Sequence, residues 1–256
     1  MDLNHRLRDV GHVSFFARRS LFELDLDVAR IAKLVKEEQA AGWVVMAGSV
    51  QILEWFVQER IPTFAFFGRR QNLDIAGAGP DKIKAIQQVV DRLVGLGHRR
   101  IVLLTHQIRR LPEPGLFERA FIQALEQKGL PAGPYNLPDW DNNVKDFHRC
   151  LEGLFRISPP TAIFTDEVSQ YVAVMQFCLS RGLRVPRDVS MFCNDSEAVF
   201  DLFESKPARI DWDAEPVIRH LLRWADALSK GKNIRRQIMT PAKFIEGGGI
   251  GPVSWF

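Results

Sequence analysis

Acidic residues close two of the apolar runs in this sequence: Asp166 and Glu167 follow TAIFT, and Asp195 follows VSMFCN. A carboxylate in such a place can accept hydrogen bonds from the donor groups of a bound molecule. Asp, Asn and Ser also cap helices and turns, and helix-like stretches follow both runs. Ligand contact and capping therefore stand side by side for all three residues. Aromatic rings lie on or near strand-like runs as well, at Phe15, Phe16, Phe66, Phe67 and Trp140. Aromatic faces can stack on a bound ring, and strand phenylalanines equally fill cores.

Other chemistries find little footing. The histidines, His5, His12, His98, His106, His148 and His220, have no paired metal spacing, and Cys150, Cys178 and Cys193 form no CxxC. No metal site and no cofactor is expected, and scattered free cysteines fit a reducing, cytoplasmic setting. GAGPDK (77–82) begins like a dinucleotide loop but lacks its third glycine. EGGGIG (246–251) has no helix behind it to receive a phosphate. Neither a GxSxG elbow nor an HExxH pair is present, so an enzyme is not expected. The net charge of +3 is a mild excess, and the five Arg-Arg pairs are spread along the chain. Nucleic-acid binders concentrate positive charge more strongly. No apolar run has the length of a membrane span or of a signal-peptide core.

The elements that must position these residues alternate. Strand-like runs fall at 13–17 (VSFFA), 43–48, 62–68, 101–106, 161–166, 189–195 and 208–212. Between them, helical spacing covers 26–42, 50–61, 81–97, 116–129, 144–156, 169–182 and 215–231. LDIAGAGP reads as a glycine-rich loop, with Asp81 as N-cap and Gly97 as C-cap of the helix that follows. RRQIMTPAKFIEGGG has period-two character. Strands separated by helices of this length predict an α/β fold with parallel sheets covered on both faces. Two such series predict two lobes with a break near residue 100. On the helix QILEWFVQER, Ile52, Trp55 and Phe56 share one face, which either packs on its own sheet or forms a dimer surface.

The string VDRLVGLGHRRIVLLT resembles the central signature of the LacI/GalR family of bacterial transcription regulators. FERAFIQALEQKGL, PPTAIFTDEVSQYVAVMQFCLSRGLRVPRDVSMFCND and TPAKFIEGGGIGP follow in the family's order. The resemblance covers roughly residues 43–252. It implies a two-lobed periplasmic-binding-protein-like fold, each lobe a mostly parallel sheet flanked by helices, joined by three crossovers. These would fall near 98–101, 206–209 and 232–236, with His98, Arg99 and Arg100 at the hinge. The lobes would then be 1–99 plus 208–233, and 100–207 plus 234–256. The first strand of the first lobe is missing from the pattern. Nothing before Leu26 reads as a helix-turn-helix, so no DNA-binding domain is expected in this chain.

The resemblance further implies a small sugar-like effector held in a cleft, a homodimer, and DNA contact only through a helix-turn-helix domain. Asp195 falls where many members set a carboxylate against sugar hydroxyls. Asp166, Glu167, Phe16, Phe66 and Trp140 complete the candidate ligand set. Two family features are replaced: Glu167 and Val168 stand where an Asn-Asp pair is usual, and Phe117 where an arginine opens its helix. The expected function is the effector-binding and dimerisation region of such a regulator, working by hinge closure. A stand-alone small-molecule binding module, or a dimerisation scaffold with a degenerate cleft, are the alternatives.

Overall fold

A computed structural model describes residues 3–111, 113–141 and 143–253. Its order is α1 (Leu3–Asp9), α2 (Val28–Glu38), β1 (Trp43–Met46), α3 (Val50–Gln58), β2 (Thr63–Phe66), β3 (Ala76–Asp81), α4 (Ile83–Gly95) and β4 (Ile101–Leu104). There follow α5 (Leu116–Gln127), α6 (Val144–Ile157), β5 (Ala162–Thr165), α7 (Val168–Ser180), β6 (Ser190–Cys193), β7 (Ala208–Trp212), α8 (Glu215–Ser229) and β8 (Gln237–Ile245). The chain divides into two compact units, 1–81 with 213–241, and 82–212 with 242–256.

In the first unit β1, β2, β3 and the first half of β8 form a parallel sheet, in registers such as Val45↔Ala65, Phe66↔Ala78 and Gly77↔Gln237. One face is covered by α2 and α3, whose Ile31, Val35, Ile52, Leu53 and Phe56 are buried against Val45 and Ala65. Ile52 and Phe56 thus face their own sheet rather than a dimer surface. On the other face Phe64 packs 5.7 Å from Trp224 and 5.5 Å from His220 of α8.

Two expectations fail in this unit. VSFFA is not a strand: residues 12–17 join no ladder, and Val13 and Phe16 are 95% and 82% exposed. Alternating apolar residues suit a pleat, but a strand exists only where a neighbour takes its hydrogen bonds. β1 accordingly stands at the sheet edge, paired on one side with β2. Conversely, the supposed loop AGAGPD is the strand β3. Its glycines leave room for the buried Arg70, since a β-carbon on Gly77 would stand 2.6 Å from Arg70 Cδ.

The second unit holds a parallel sheet in the order β4-β5-β6-β7, closed by the second half of β8 antiparallel to β7. Because strand side chains alternate, β4 sends Ile101 and Leu103 to one core, with α4 and α5, and Val102 and Leu104 to another, with α6 and α7. All four are fully buried, as continuous apolar strands in doubly covered sheets must be.

This packing moves the unit boundaries away from the expected ones. Ala85, Ile86, Val89, Val90 and Leu93 of α4 are buried with Ile101, Leu103 and Phe121. The helix that was expected to close the first lobe therefore opens the second unit. The chain passes between units after Asp81, Trp212 and Pro241, not near 98, 206 and 232. β7 pairs with β6, and Gln237–Pro241 pairs with β3, each opposite to its expected lobe. The helix α4 begins from Lys82 without a side-chain cap, so Asp81 is not its N-cap. Its end is as expected: Gly97 takes φ +93°, His98 N donates to Leu93 O and Gly97 N to Val94 O. That is the Schellman pairing, for which glycine is the unstrained residue.

Candidate functional site

In a parallel sheet the carboxyl ends of neighbouring strands come out together, and polar groups there can converge. The registers Leu104↔Thr165 and Thr165↔Cys193 set His106, Asp166 and Asn194 at one edge of the second unit's sheet. Asp166 is 8% exposed, and its Oδ1 accepts from Asn194 Nδ2 at 2.8 Å. Lys82 Nζ donates to Asn194 O at 2.7 Å. Asp166 N in turn donates to Gln170 Oε1 at 3.1 Å. With its carbonyl so used, Gln170 offers its amide Nε2 to His106 Nε2, 3.2 Å away. A neutral His106 accepting there carries its proton on Nδ1.

The ring of His106 lies 4.6 Å from that of Trp140, which meets Phe147 at 4.9 Å. Glu167 Oε1 is 3.5 Å from His106 Nε2. Deeper, Thr105 Oγ1 donates to Oε1 of the buried Glu118 at 3.2 Å. Three buried polar atoms of this cluster have no protein partner: His106 Nδ1, Trp140 Nε1 and Asn194 Oδ1. Two donors and one acceptor thus stand unused beside a carboxylate, and buried polar groups ordinarily find partners. That arrangement suits a ligand rich in hydroxyls.

Of the residues singled out from sequence, Asp166, Glu167 and Trp140 fall within this cluster. Glu167 sits at the N-cap position of α7, yet its side chain makes no capping bond. Asp195 follows Asn194, but its Oδ1 accepts from Ser196 N at 2.9 Å, the local turn bond that was its other reading. Phe66 and Phe16 belong to the first unit: Phe66 ends β2 against Phe67 at 4.3 Å, while Phe16 lies in the exposed stretch before α2. Val168 is buried in the core beside Tyr171. Phe117, which stands where the family sets an arginine, packs partly buried against the core of α4 and α5, and Arg119, two residues on, donates to Pro114 O at 2.7 Å. His106, Gln170, Asn194, Lys82 and Glu118 were missed. The first and third immediately follow strand runs and could have been found by that rule; Lys82 and Glu118 carry no such signal.

The expected hinge trio is internal to the second unit. His98 is 1% exposed, with Nε2 2.9 Å from Gly251 O and 3.1 Å from Ser190 Oγ. Arg99 caps the end of α4 through Val94 O at 3.0 Å, and Arg100 holds Pro159 O at 2.6 Å. A carbonyl only accepts, so His98 carries its proton on Nε2. Burial lowers its pKa from 6.5, opposed by the Gly251 bond and helped by Arg99. The unfolded chain therefore binds the proton first as the pH falls, so stability declines below about pH 6.5. Urea midpoints measured between pH 7.5 and 5 should drop further for the wild type than for His98→Gln. Parallel curves would refute this account.

The thiols offer no nucleophile, because burial pushes Cys193 up to about 12 and Cys150 and Cys178 to about 11. Among the described residues there is no group of three or more metal-ligating side chains, and no helix is long and apolar enough to cross a membrane.

Residues 90–249 match the model of a family described as a periplasmic binding protein-like domain. No curated protein matches the sequence. Among solved structures, the Escherichia coli transcriptional repressor ascG is 16% identical, with TM-score 0.71, over 97% of this chain and 92% of that one. A periplasmic binding protein/LacI transcriptional regulator from Alkaliphilus metalliredigens, complexed with D-xylulofuranose, is 17% identical, with TM-score 0.75, over 97% and 91%. A LacI transcriptional regulator from a Rhodococcus species is 17% identical, with TM-score 0.75, over 98% and 92%. At these identities the likeness is one of fold.

Proposed function

The chain belongs to the family of periplasmic binding protein-like domains, and we propose that it is the effector-binding and dimerisation region of a LacI/GalR-like transcription regulator that senses a small sugar-like metabolite. The observation that carries this reading is the strand-end cluster of the second unit. There Asp166 is aligned by Asn194, beside unused donors on His106 and Trp140 and an unused acceptor on Asn194. Hydroxyls that fill those atoms remove a standing cost of buried, unpaired polar groups, so binding gains more than the contacts alone. Glu167 and Asp195 would contribute at the rim. The sugar complex of the Alkaliphilus neighbour supports the ligand class.

The three passages of chain between the units would serve as the hinge. The ligand would act by preferring one arrangement of the units over another, since equal affinity for both shifts nothing. DNA contact would come through a helix-turn-helix domain acting as part of a homodimer in the cytoplasm.

A thermal-shift screen against sugars, sugar acids and nucleosides tests the proposal. A ligand at about 100 times its Kd adds roughly 2.7 kcal/mol. A hydroxyl-rich compound should raise the melting point of the wild type, and Asp166→Ala should weaken its binding by about 10-fold to 100-fold. A shift that survives in Asp166→Ala would remove the cluster from the site. No shift with any compound would favour a dimerisation scaffold whose ligand site is silent.

A further inference from the structure

The first unit carries a concentration of charge that the function above does not use. Arg219 and Arg223 lie one turn apart on α8, and Arg236 stands just before β8. With Pro216, His220 and Ile238 they line a concavity of about 270 Å³. His220 Nε2 lies 2.9 Å from Arg236 O, which ties the approach to β8 onto α8 and keeps the third arginine over the same hollow.

None of the three guanidinium groups has an ion-pair partner among the described residues, although their neighbours do. Glu215, one turn before Arg219, is held by both terminal nitrogens of Arg6, at 2.8 and 3.2 Å. Arg235 is paired with Asp74. Like charges one helical turn apart repel; Glu215 attracts Arg219 but is already engaged by Arg6, so the three arginines leave the hollow with an excess of positive charge. Its remaining lining, Pro216, Ile238 and the His220 ring, is largely apolar.

We propose that Arg219, Arg223 and Arg236 form a binding site for a small phosphate monoester. A phosphate monoester carries about 1.5 to 2 negative charges at pH 7 and three strong acceptor oxygens. Guanidinium forks match those oxygens two at a time, which a lysine ammonium cannot do. The volume exceeds that of the phosphoryl group, and the apolar lining receives a small organic body attached to it. The site uses first-unit residues alone, so its failure leaves the strand-end cluster of the second unit untouched.

Calorimetric titration of the full chain with glycerol 3-phosphate and with inorganic phosphate, at fixed ionic strength, tests this. The ester should bind saturably at one site and more tightly than inorganic phosphate. Arg219→Ala, Arg223→Ala and Arg236→Ala should each weaken it by about tenfold, while Arg235→Ala, whose arginine is already paired, should bind as the wild type does. Circular dichroism should show all four variants folded, because the side chains removed are exposed. Absence of saturable binding, or affinity unchanged in the three variants, overturns the site. Equal affinity for inorganic phosphate overturns the assignment of an ester.

Discussion

Phe164→Ala is expected to lower the unfolding free energy by about 3–5 kcal/mol, the range for a large aromatic removed from a packed core. Phe164 lies on β5 between Leu103 and Phe192 in the ladder and is fully buried. Its ring meets Phe192 at 4.8 Å and Phe121 of α5 at 5.2 Å. Deleting it opens a void where three elements converge, and close-packed neighbours collapse only partly into such a space. Asp166 stands two residues further on, just past the end of the same strand, so the effector response should fall together with stability. Urea unfolding measures the loss. Phe164→Leu, which keeps most of the volume, should cost far less, under about 1.5 kcal/mol. A loss below about 1 kcal/mol for the alanine variant would show that this core is not packed as described.

Gly247→Ala should be nearly as damaging for the opposite reason. A β-carbon there would fall onto Lys206 O and within 2.6 Å of the Pro207 carbonyl carbon. The obstacle is backbone, so no side chain can swing aside. Gly249 is confined in the same way, by Met191 O, and its own carbonyl receives Met191 N at 2.7 Å. The run EGGG is thus a place where chain passes close over chain beyond β8. Overpacking of this kind costs about 1–3 kcal/mol or more. Gly129→Ala makes the comparison: there the space is open and only the positive φ of 73° is strained. Equal melting points for Gly247→Ala and the wild type would contradict the close approach.

The doubly buried strands were plain in the sequence, because continuous apolar runs such as IVLL and AIFT have few other stable homes. The helix that ends in Gly-His-Arg-Arg was plain too, but its allegiance was not. Apolar spacing states that α4 has a face to bury and is silent on which sheet receives it. β3 was hidden because AGAGPD carries no hydrophobic pattern; its place is set by ladder bonds and by the arginine stem lying over its glycines. VSFFA erred the other way, with a strand's pattern and no partner. In the candidate site the carboxylates were legible by type. His106, Gln170 and Asn194 acquire meaning only from the register of β4, β5 and β6, which aligns residues far apart in the chain.

The split of β8 bears on how this protein can be divided as a gene. A fragment ending at Trp212 would strip β7 of Ala242–Ile245 and leave His98 without Gly251. Truncation there should therefore yield an aggregating product with a raw sheet margin. Yet Trp212 and Ala242 face each other directly across the antiparallel ladder. A two-residue Asn-Gly hairpin is the natural bridge between such a pair. Residues 82–212 joined through that turn to 242–253 would write a discontinuous unit as one uninterrupted reading frame.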